Sequence, residues 1–382
     1  MAPVLFGASS PPVGLDIGTD HIRLAQVRQG SAGPQLTAYA SVPMPLGAVV
    51  EGEIVDPVAV TGALKDLWRQ SGVRTREVAV GISNHKVVVR LIELPFMERD
   101  ELAGVIQYQA QDYIPIPVDE AIIDFHVIDD YVAAPSLEEY ASSGEDHMMD
   151  VMLVAAERDM IASLVAAMEG AGLKPAQVDV AAFALARALF GPAPVLFDEA
   201  EEAGAAVGVV HISSGITNIA VVAKGIPRFT RVSSLASSQF TQALANRFTL
   251  TFDEAEDLKM SAGLPDTEAP EPAERSEEEE RIHAAQEVLE REAGKFITEV
   301  RRSLDYCLTQ VSQVQTINRI VLSGVGAEIP RLAAYLEKGL QTQVVIGDPL
   351  AFVSASGAVE QAVLADRAGS ALAIGLALGG VS

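Results

Sequence analysis

A single cysteine, Cys307, is all the thiol that these 382 residues carry. An intramolecular disulfide is thereby excluded, and a reducing compartment suits the chain. Cys307 sits in an apolar stretch of helical spacing and reads as core rather than nucleophile. Positive charge is scarce too: 27 Lys and Arg stand against 52 Asp and Glu, a net charge of −25. That field repels phosphate backbones and argues against nucleic acid as a partner held by electrostatics. No run is long and apolar enough to cross a bilayer. The apolar tail at 371–381 is short, follows Asp366 and Arg367, and reads as the end of a buried helix. No basic region precedes an apolar run at the start, so residues 1–12, with Pro11 and Pro12, read as a loose leader rather than a signal peptide. Aromatic residues reach only 5% against 49% hydrophobic residues overall, which leaves Ala, Val and Leu to fill two domains or one bilobal unit.

The stretch 13–27, VGLDIGTDHIRLAQV, reads as two strands around a tight turn. Asp16 ends the first strand, and Gly18 lets the backbone turn without a Cβ clash. Two readings fit. One is a plain hairpin with a capping Asp. The other is a phosphate cradle of free amides and the Thr19 hydroxyl, with Asp16 holding Mg²⁺ through water. A third strand at 35–42, a helix at 58–71 and a buried strand at 78–82 give an α/β opening. Between 84 and 175 a compact α+β module is expected, with strands at 86–95, 121–129 and 150–156 and helices at 97–114 and 158–170. The segment 178–189 then resumes the first lobe.

The second lobe opens at 206–225, AVGVVHISSGITNIAVVAKG, whose form matches the opening hairpin and suggests an internal repeat. A strand at 226–232 and helices at 237–248, 252–260 and about 277–313 follow. The Pro- and Glu-rich stretch at 263–281 lacks apolar periodicity and reads as a solvated loop. A strand at 319–323, a helix at 330–340, a strand at 343–347 and helices at 354–364 and 369–378 complete the chain.

Three turns after strands thus stand in order: DIGTD, HISSGITN and LSGVGAEIPRL. Glycine after a strand is common, so each alone says little. Together they describe a cleft with one phosphate turn from each lobe and a third turn, with Gly324 and Gly326, beside the base.

With these residues in hand, the sequence resembles the PilM family of type IV pilus assembly proteins, within the actin and sugar-kinase superfamily and related to the division protein FtsA. The resemblance rests on DIGTDHIRL, QAQDYIPIPVDEAIIDFHVI (109–128), GITNIAVVAKGIPRFTR, RRSLDYC (301–307), SGVGAEIPRLAAYLEKGL and the closing AIGLALG. It implies an α/β, two-lobed actin-like (ribonuclease H-like) fold with an inserted small α+β subdomain. The implied boundaries are 13–83 and 176–200 for the first lobe core, 84–175 for the insertion, 201–238 and 316–350 for the second lobe core, 239–315 for its outer part, and 351–382 for helices returning to the first lobe. It further implies ATP or ADP with Mg²⁺. On this chain the nucleotide set is Asp16, Gly18, Thr19 and Arg23 in the first turn. Ser213, Ser214, Gly215 and Thr217 fall in the second, and Gly324, Gly326 and Ala327 in the third. Glu299, Arg302 and Ser303 fall on the helix that meets adenine and ribose. The implied partner is the N-terminal cytoplasmic peptide of a PilN-like membrane protein, docking between the first lobe and the insertion. The pilus assembly ATPase is a further partner, a homo-oligomer stays open, and the expected place is the cytoplasmic face of the inner membrane. Tyr113, Ile114 and Ile116 either line that peptide's groove or are core residues.

The chain departs from the family pattern at the second turn, where His211 and Ser213 replace an acid and a glycine. Val325 and Arg331 also stand where glycine is commoner. Losing the second carboxylate predicts nucleotide binding with slow or no hydrolysis. A small-molecule kinase of the same superfamily is an alternative, which would need a carboxylate base where His211 stands in the second lobe. A membrane-binding division protein would need a basic terminal helix. A pseudo-ATPase docking platform remains a competing reading.

Overall fold

The computed structural model describes residues 12–132, 147–191, 204–266 and 276–380. Apart from Pro12, the expected leader lies outside these residues, as does the middle of the acidic loop expected at 263–281.

Strands β1 (Val13–Ile17), β2 (His21–Gly30) and β3 (Gly33–Pro43) form an antiparallel meander. A short ribbon follows, β4 (Val49–Val50) and β5 (Glu53–Ile54), which sequence reasoning missed. Its turn places Glu51 at φ 48° and Gly52 at φ 78°, the paired left-handed geometry of a two-residue hairpin. Two-residue strands are too short to show alternation. Helix α1 (Pro57–Ser71) starts where Asp56 Oδ1 accepts from the Val58 and Ala59 amides, and it stops at Gly72 with φ 67°. Strand β6 (Glu77–Ile82) runs parallel to β1.

Next come β7 (Val87–Pro95), α2 (Arg99–Tyr113), β8 (Ala121–Val132) and β9 (His147–Glu157). The three strands form their own antiparallel sheet, ordered β7-β9-β8. Leu102, Ile106 and Ala110 of α2 share its core. Helix α3 (Arg158–Gly170), assigned from sequence to this module, belongs elsewhere. Its Leu164, Ala167 and Met168 share a core with Leu64, Leu67 and Trp68 of α1. Strand β10 (Lys174–Val180) then pairs in parallel with β6 and completes a five-stranded sheet, β10-β6-β1-β2-β3. Helix α4 (Ala181–Phe190) leads away from it.

The second lobe repeats the plan. Strands β11 (Ala205–Ile212), β12 (Thr217–Ala223) and β13 (Ile226–Ser233) form an antiparallel meander. Helices α5 (Ser237–Phe248), α6 (Phe252–Ala262) and α7 (Glu277–Gln310) cover one face. Ser276 and Glu279 cap α7 reciprocally. It ends at Gln310, short of the expected 313, because Val311 is extended. Strand β14 (Thr316–Ser323) pairs in parallel with β11. A 3₁₀ turn at Val325–Glu328, α8 (Leu332–Leu340) and β15 (Gln343–Ile346) follow. The sheet order β13-β12-β11-β14-β15 reproduces the first sheet strand for strand, so the weak sequence repeat is a real structural one.

Helices α9 (Gly357–Ala365) and α10 (Ala371–Leu378) return to the first lobe. Every residue of α10 is buried, against α4 on one side and β1 on the other. Gly14 and Gly375 make this possible: a Cβ on either would enter the backbone of Ala373 or Ala184. Together α4 and α10 form the core that joins both five-stranded sheets. The small module meets the second lobe at a buried ion pair, Asp150 of β9 and Arg228 of β13, and through Val89 and Met152, which share a core with the second sheet. The contact is incomplete. Arg228 Nη1 and Gln313 Nε2 each lie 3.3 Å from Asp150 Oδ2, while Asp150 Oδ1 and Arg228 Nε have no partner among the described residues. Burial raises the Asp150 carboxyl above the usual range.

Candidate functional site

The loop after β1 closes through the Gly18 amide, which donates to the His21 carbonyl at 2.9 Å. A Cβ at Gly18 would lie 2.8 Å from that same oxygen, so glycine is required for tightness. Opposite, the loop between β11 and β12 is closed by its own serine. Ser213 Oγ donates to the Ile216 carbonyl at 2.7 Å and accepts from the Ile216 amide at 3.2 Å. Serine in place of glycine thus braces the second turn, and its hydroxyl is committed to the backbone. The two turns touch, since a Cβ on Gly215 would overlap the Thr19 side chain.

Between them lies a cavity of about 50 Å³, bordered by Asp16, Gly18, Thr19, Arg23, His211, Ser213, Ser214 and Gly324. The structure therefore brings the first-turn and second-turn residues together across the lobes. Burial pushes the Asp16 carboxyl up to about 7, against the pull of Arg23. Among the described residues no side-chain hydrogen bond reaches that carboxylate, and Asp16 is partly exposed. Asp20 is the reverse: burial raises it, but the His21 hydrogen bond and the Arg23 charge together bring it down to about 2.

Arg23 is buried and clasped. Its Nε and Nη2 donate to Asp366 at 2.8 and 3.2 Å, and Tyr39 donates its hydroxyl to Asp366 Oδ2 at 2.7 Å. Gly369 leaves the room this guanidinium occupies. Asp366 and Tyr39 were not foreseen; Asp366 is 343 residues from its partner, and no local pattern marks it. His211 is 3% exposed, and burial lowers it to about 4, so the imidazole is neutral. Its Nδ1 is hydrogen-bonded to Ser323 Oγ at 2.9 Å. It ties β11 to β14 and supplies no charge to the cavity.

The remaining expected residues lie apart. Thr217 is fully buried and donates to the Leu235 carbonyl at 2.7 Å. Gly326 packs on Ile212, and Ala327 borders a second cavity of about 270 Å³ with Glu328, Asp348 and Arg367. Glu299, Arg302 and Ser303 do not reach the turns. Glu299 pairs with Arg231 at 2.9 Å, Arg302 is exposed, and Ser303 is fully buried with Oγ donating to the Glu299 carbonyl. The phase of α7 explains this: Phe296, Val300, Leu304 and Cys307 must face the second-lobe core, which fixes where every other residue points. Arg331 takes φ 69°, a conformation that favours glycine, and its guanidinium donates to the Ala262 and Leu264 carbonyls at the end of α6. These bonds offset a strain of about 1 kcal/mol.

A third cavity, of about 520 Å³, opens between β7 and β13, each the terminal strand of its sheet. Ile82–His85, Pro115 and Glu299 complete its wall. Of the expected partner residues, Ile114 is buried in the module core and Tyr113 and Ile116 are half-buried against it.

The residues fit a nucleotide in chemical type: turn amides, a threonine hydroxyl, a guanidinium and, for the metal's waters, a carboxylate. They do not fit it in volume, because ligand cavities begin at about 300 Å³. Among the described residues no group of three or more His, Cys, Asp or Glu is placed to hold a metal ion. Mg²⁺ would therefore rely on Asp16, water and phosphate. Among the described residues no helix is long and apolar enough to cross a membrane.

A family model described as type IV pilus assembly protein PilM matches residues 14–381. The structure is similar to a solved PilM-PilN type IV pilus biogenesis complex, with 28% identity, a TM-score of 0.78, and coverage of 98% of this chain and 100% of that one. MreB5 of Spiroplasma citri bound to AMPPNP is similar in fold, at 12% identity and a TM-score of 0.50 over 96% of this chain and 95% of that one. In sequence, cell division protein FtsA of Escherichia coli K12 is 28% identical over 221 residues, 54% of this chain and 51% of FtsA. The match thus spans about half the length of that relative. The fold is the expected actin-like one, α/β and two-lobed.

Proposed function

This chain belongs to the PilM family of type IV pilus assembly proteins, and from that premise we propose that it is a nucleotide-binding scaffold at the cytoplasmic face of the inner membrane. It links a PilN-like membrane protein to the assembly motor. The observation that carries the nucleotide reading is the meeting of the Gly18–Thr19 and Ser213–Gly215 turns around the Asp16 carboxylate. The AMPPNP in the MreB5 neighbour supports it by fold likeness. ATP or ADP would lie on the turn amides, with Thr19 and Arg23 on phosphate oxygens and Mg²⁺ reached from Asp16 through water. The metal supplies charge neutralisation to the phosphates. Entry requires the lobes to part, because the cavity is about 50 Å³ when they are closed. Turnover is slow, since the second turn offers a neutral His211 and a committed Ser213 where a carboxylate would hold the metal's waters.

Isothermal calorimetry on the pure protein tests this. ADP or ATP with Mg²⁺ binds the native chain, and Asp16→Ala weakens that binding at least tenfold, about 1.4 kcal/mol, or removes its Mg²⁺ dependence. Absence of any adenine-nucleotide binding by the native chain would transfer the assignment to a pure docking platform.

The partner reading rests on the likeness to the PilM-PilN complex and on the 520 Å³ groove. An extended N-terminal cytoplasmic peptide of a PilN-like protein would lie between the terminal strands β7 and β13, adding main-chain pairing to apolar side-chain contacts. Val232, half-buried on β13, lines the groove. Val232→Glu is expected to cut peptide capture at least tenfold in a pull-down while the melting temperature stays within a few degrees. Undiminished capture by the folded variant would place the peptide elsewhere.

A further inference from the structure

The cleft cavity and the peptide groove share two lining residues, Ser83 and Asn218. Ser83 follows β6 in the first lobe, and Asn218 stands on β12 in the second. The Ser83 hydroxyl donates to Asn218 Oδ1, a bond across the lobes at the border of the two cavities, and His85 is hydrogen-bonded to Ser234 at 3.2 Å further along the groove. Both ends are held firmly. Behind Ser83 lies the turn of the ribbon, where a Cβ on Gly52 would enter the Ser83 carbonyl. Asn84, next to it, donates to the Gly52 carbonyl and accepts from the Lys86 amide at 2.9 Å. Asn218 is buried and is paired in register with His211 on one side and Val232 on the other. One neighbour of Asn218 therefore borders the cleft, and the other borders the groove.

We propose that the Ser83–Asn218 bond is a coupling gate that sets nucleotide and partner peptide against each other. The proposal rests on the nucleotide and peptide reading above. In the closed arrangement the groove measures about 520 Å³ and the cleft about 50 Å³, so a peptide bridging β7 and β13 favours closure. A nucleotide forces the turns apart, draws Ser83 from Asn218, and shifts the groove's two walls relative to each other. Two ligands that prefer opposite states of one equilibrium weaken each other by the same factor, typically about 5- to 150-fold. Ser83 acts here as a positioning residue, since the equilibrium it biases is that of the lobes.

The test uses Ser83→Ala, which removes the donor and leaves the ribbon contacts to the backbone. Calorimetry with MgADP, and separately with the N-terminal cytoplasmic peptide of the PilN-like partner, reads both affinities. In the native chain saturating MgADP weakens the peptide at least fivefold, and saturating peptide weakens MgADP by the same factor. Ser83→Ala moves the two affinities in opposite directions, with MgADP tighter and peptide weaker by at least threefold each. Ser83→Thr, which keeps a hydroxyl, restores native values. A change of the same sign in both affinities, or no change, overturns the gate, because a merely structural role weakens both together. Amide hydrogen exchange without any ligand gives an independent reading. Ser83→Ala accelerates exchange at 82–84 and at 213–218 and leaves α7 unaffected. Unaltered exchange at both turns overturns the gate even if neither ligand binds, whereas failure of binding with accelerated exchange refutes only the ligand assignment.

Discussion

Replacing Gly375 by valine is expected to leave no folded first lobe. The Cβ at this position would enter the carbonyl group of Ala184. A clash with a side chain is relieved by a rotamer change, typically at a cost of about 1–3 kcal/mol. Here the obstacle is backbone inside a helix, so α4 and α10 must separate along their length. Those helices fill the core that joins both sheets, with Ala184, Leu185, Ala188, Leu372 and Leu376 all inside it. Loss of about 5 kcal/mol or more is expected, comparable with the whole stability of an ordinary domain. Soluble yield and a thermal melt by circular dichroism measure it. A Gly375→Val protein that melts within two or three degrees of the native chain would show that the helices do not meet at this point.

Arg228→Ala is expected to cost about 3–5 kcal/mol, the usual penalty for leaving one member of a buried ion pair alone. Asp150 would then keep its burial, already raised against ionisation, with only the long Gln313 contact to satisfy it. The informative comparison is the double variant Asp150→Leu with Arg228→Met. Two apolar groups of similar size bring no desolvation cost, and the native pair leaves one atom unpartnered on each side. The double variant is therefore expected to recover to within about 1 kcal/mol of the native chain, or to exceed it. Urea denaturation of the four proteins gives the cycle. A double variant as unstable as Arg228→Ala would mean that the pair contributes net stability in spite of its poor geometry.

Much of this molecule could be read from local pattern. Apolar runs at 13–17, 77–82 and 205–212 are central strands, and the hairpins at both lobe openings were visible as repeats of one form. The turn residues at Gly18, Ser213 and Gly324 also assembled as expected, because each closes a strand at the same end of its sheet. What failed depended on distance or phase. Helix α3 carries no mark that sends its Leu164 face to α1 rather than to the module beside it. Asp366 reaches Arg23 only through the full closure of the chain. Glu299, Arg302 and Ser303 were expected at the base and ribose by family likeness. Their place around α7 is instead fixed by which stripe its apolar residues need buried. The closure of the cleft was equally invisible, since it arises from contacts such as Ser83 to Asn218 and Thr19 to Gly215 that join separate lobes.

The clasp of Arg23 by Asp366, and the burial of Gly14 beneath α10, bear on how the chain is made. Ribosomal synthesis delivers β1 more than three hundred residues ahead of the helix that covers it. Until then one face of the first sheet, with the apolar row of β1 and β2, is left open to water and to other chains. The amino-terminal lobe consequently cannot mature as a unit during translation, as leading domains commonly do. Its long-range closure makes folding slow and leaves an interval in which exposed strands can aggregate. The second lobe, contiguous from β11 to β15, closes its helix-covered face without α10, and only its face toward α4 shares the delay.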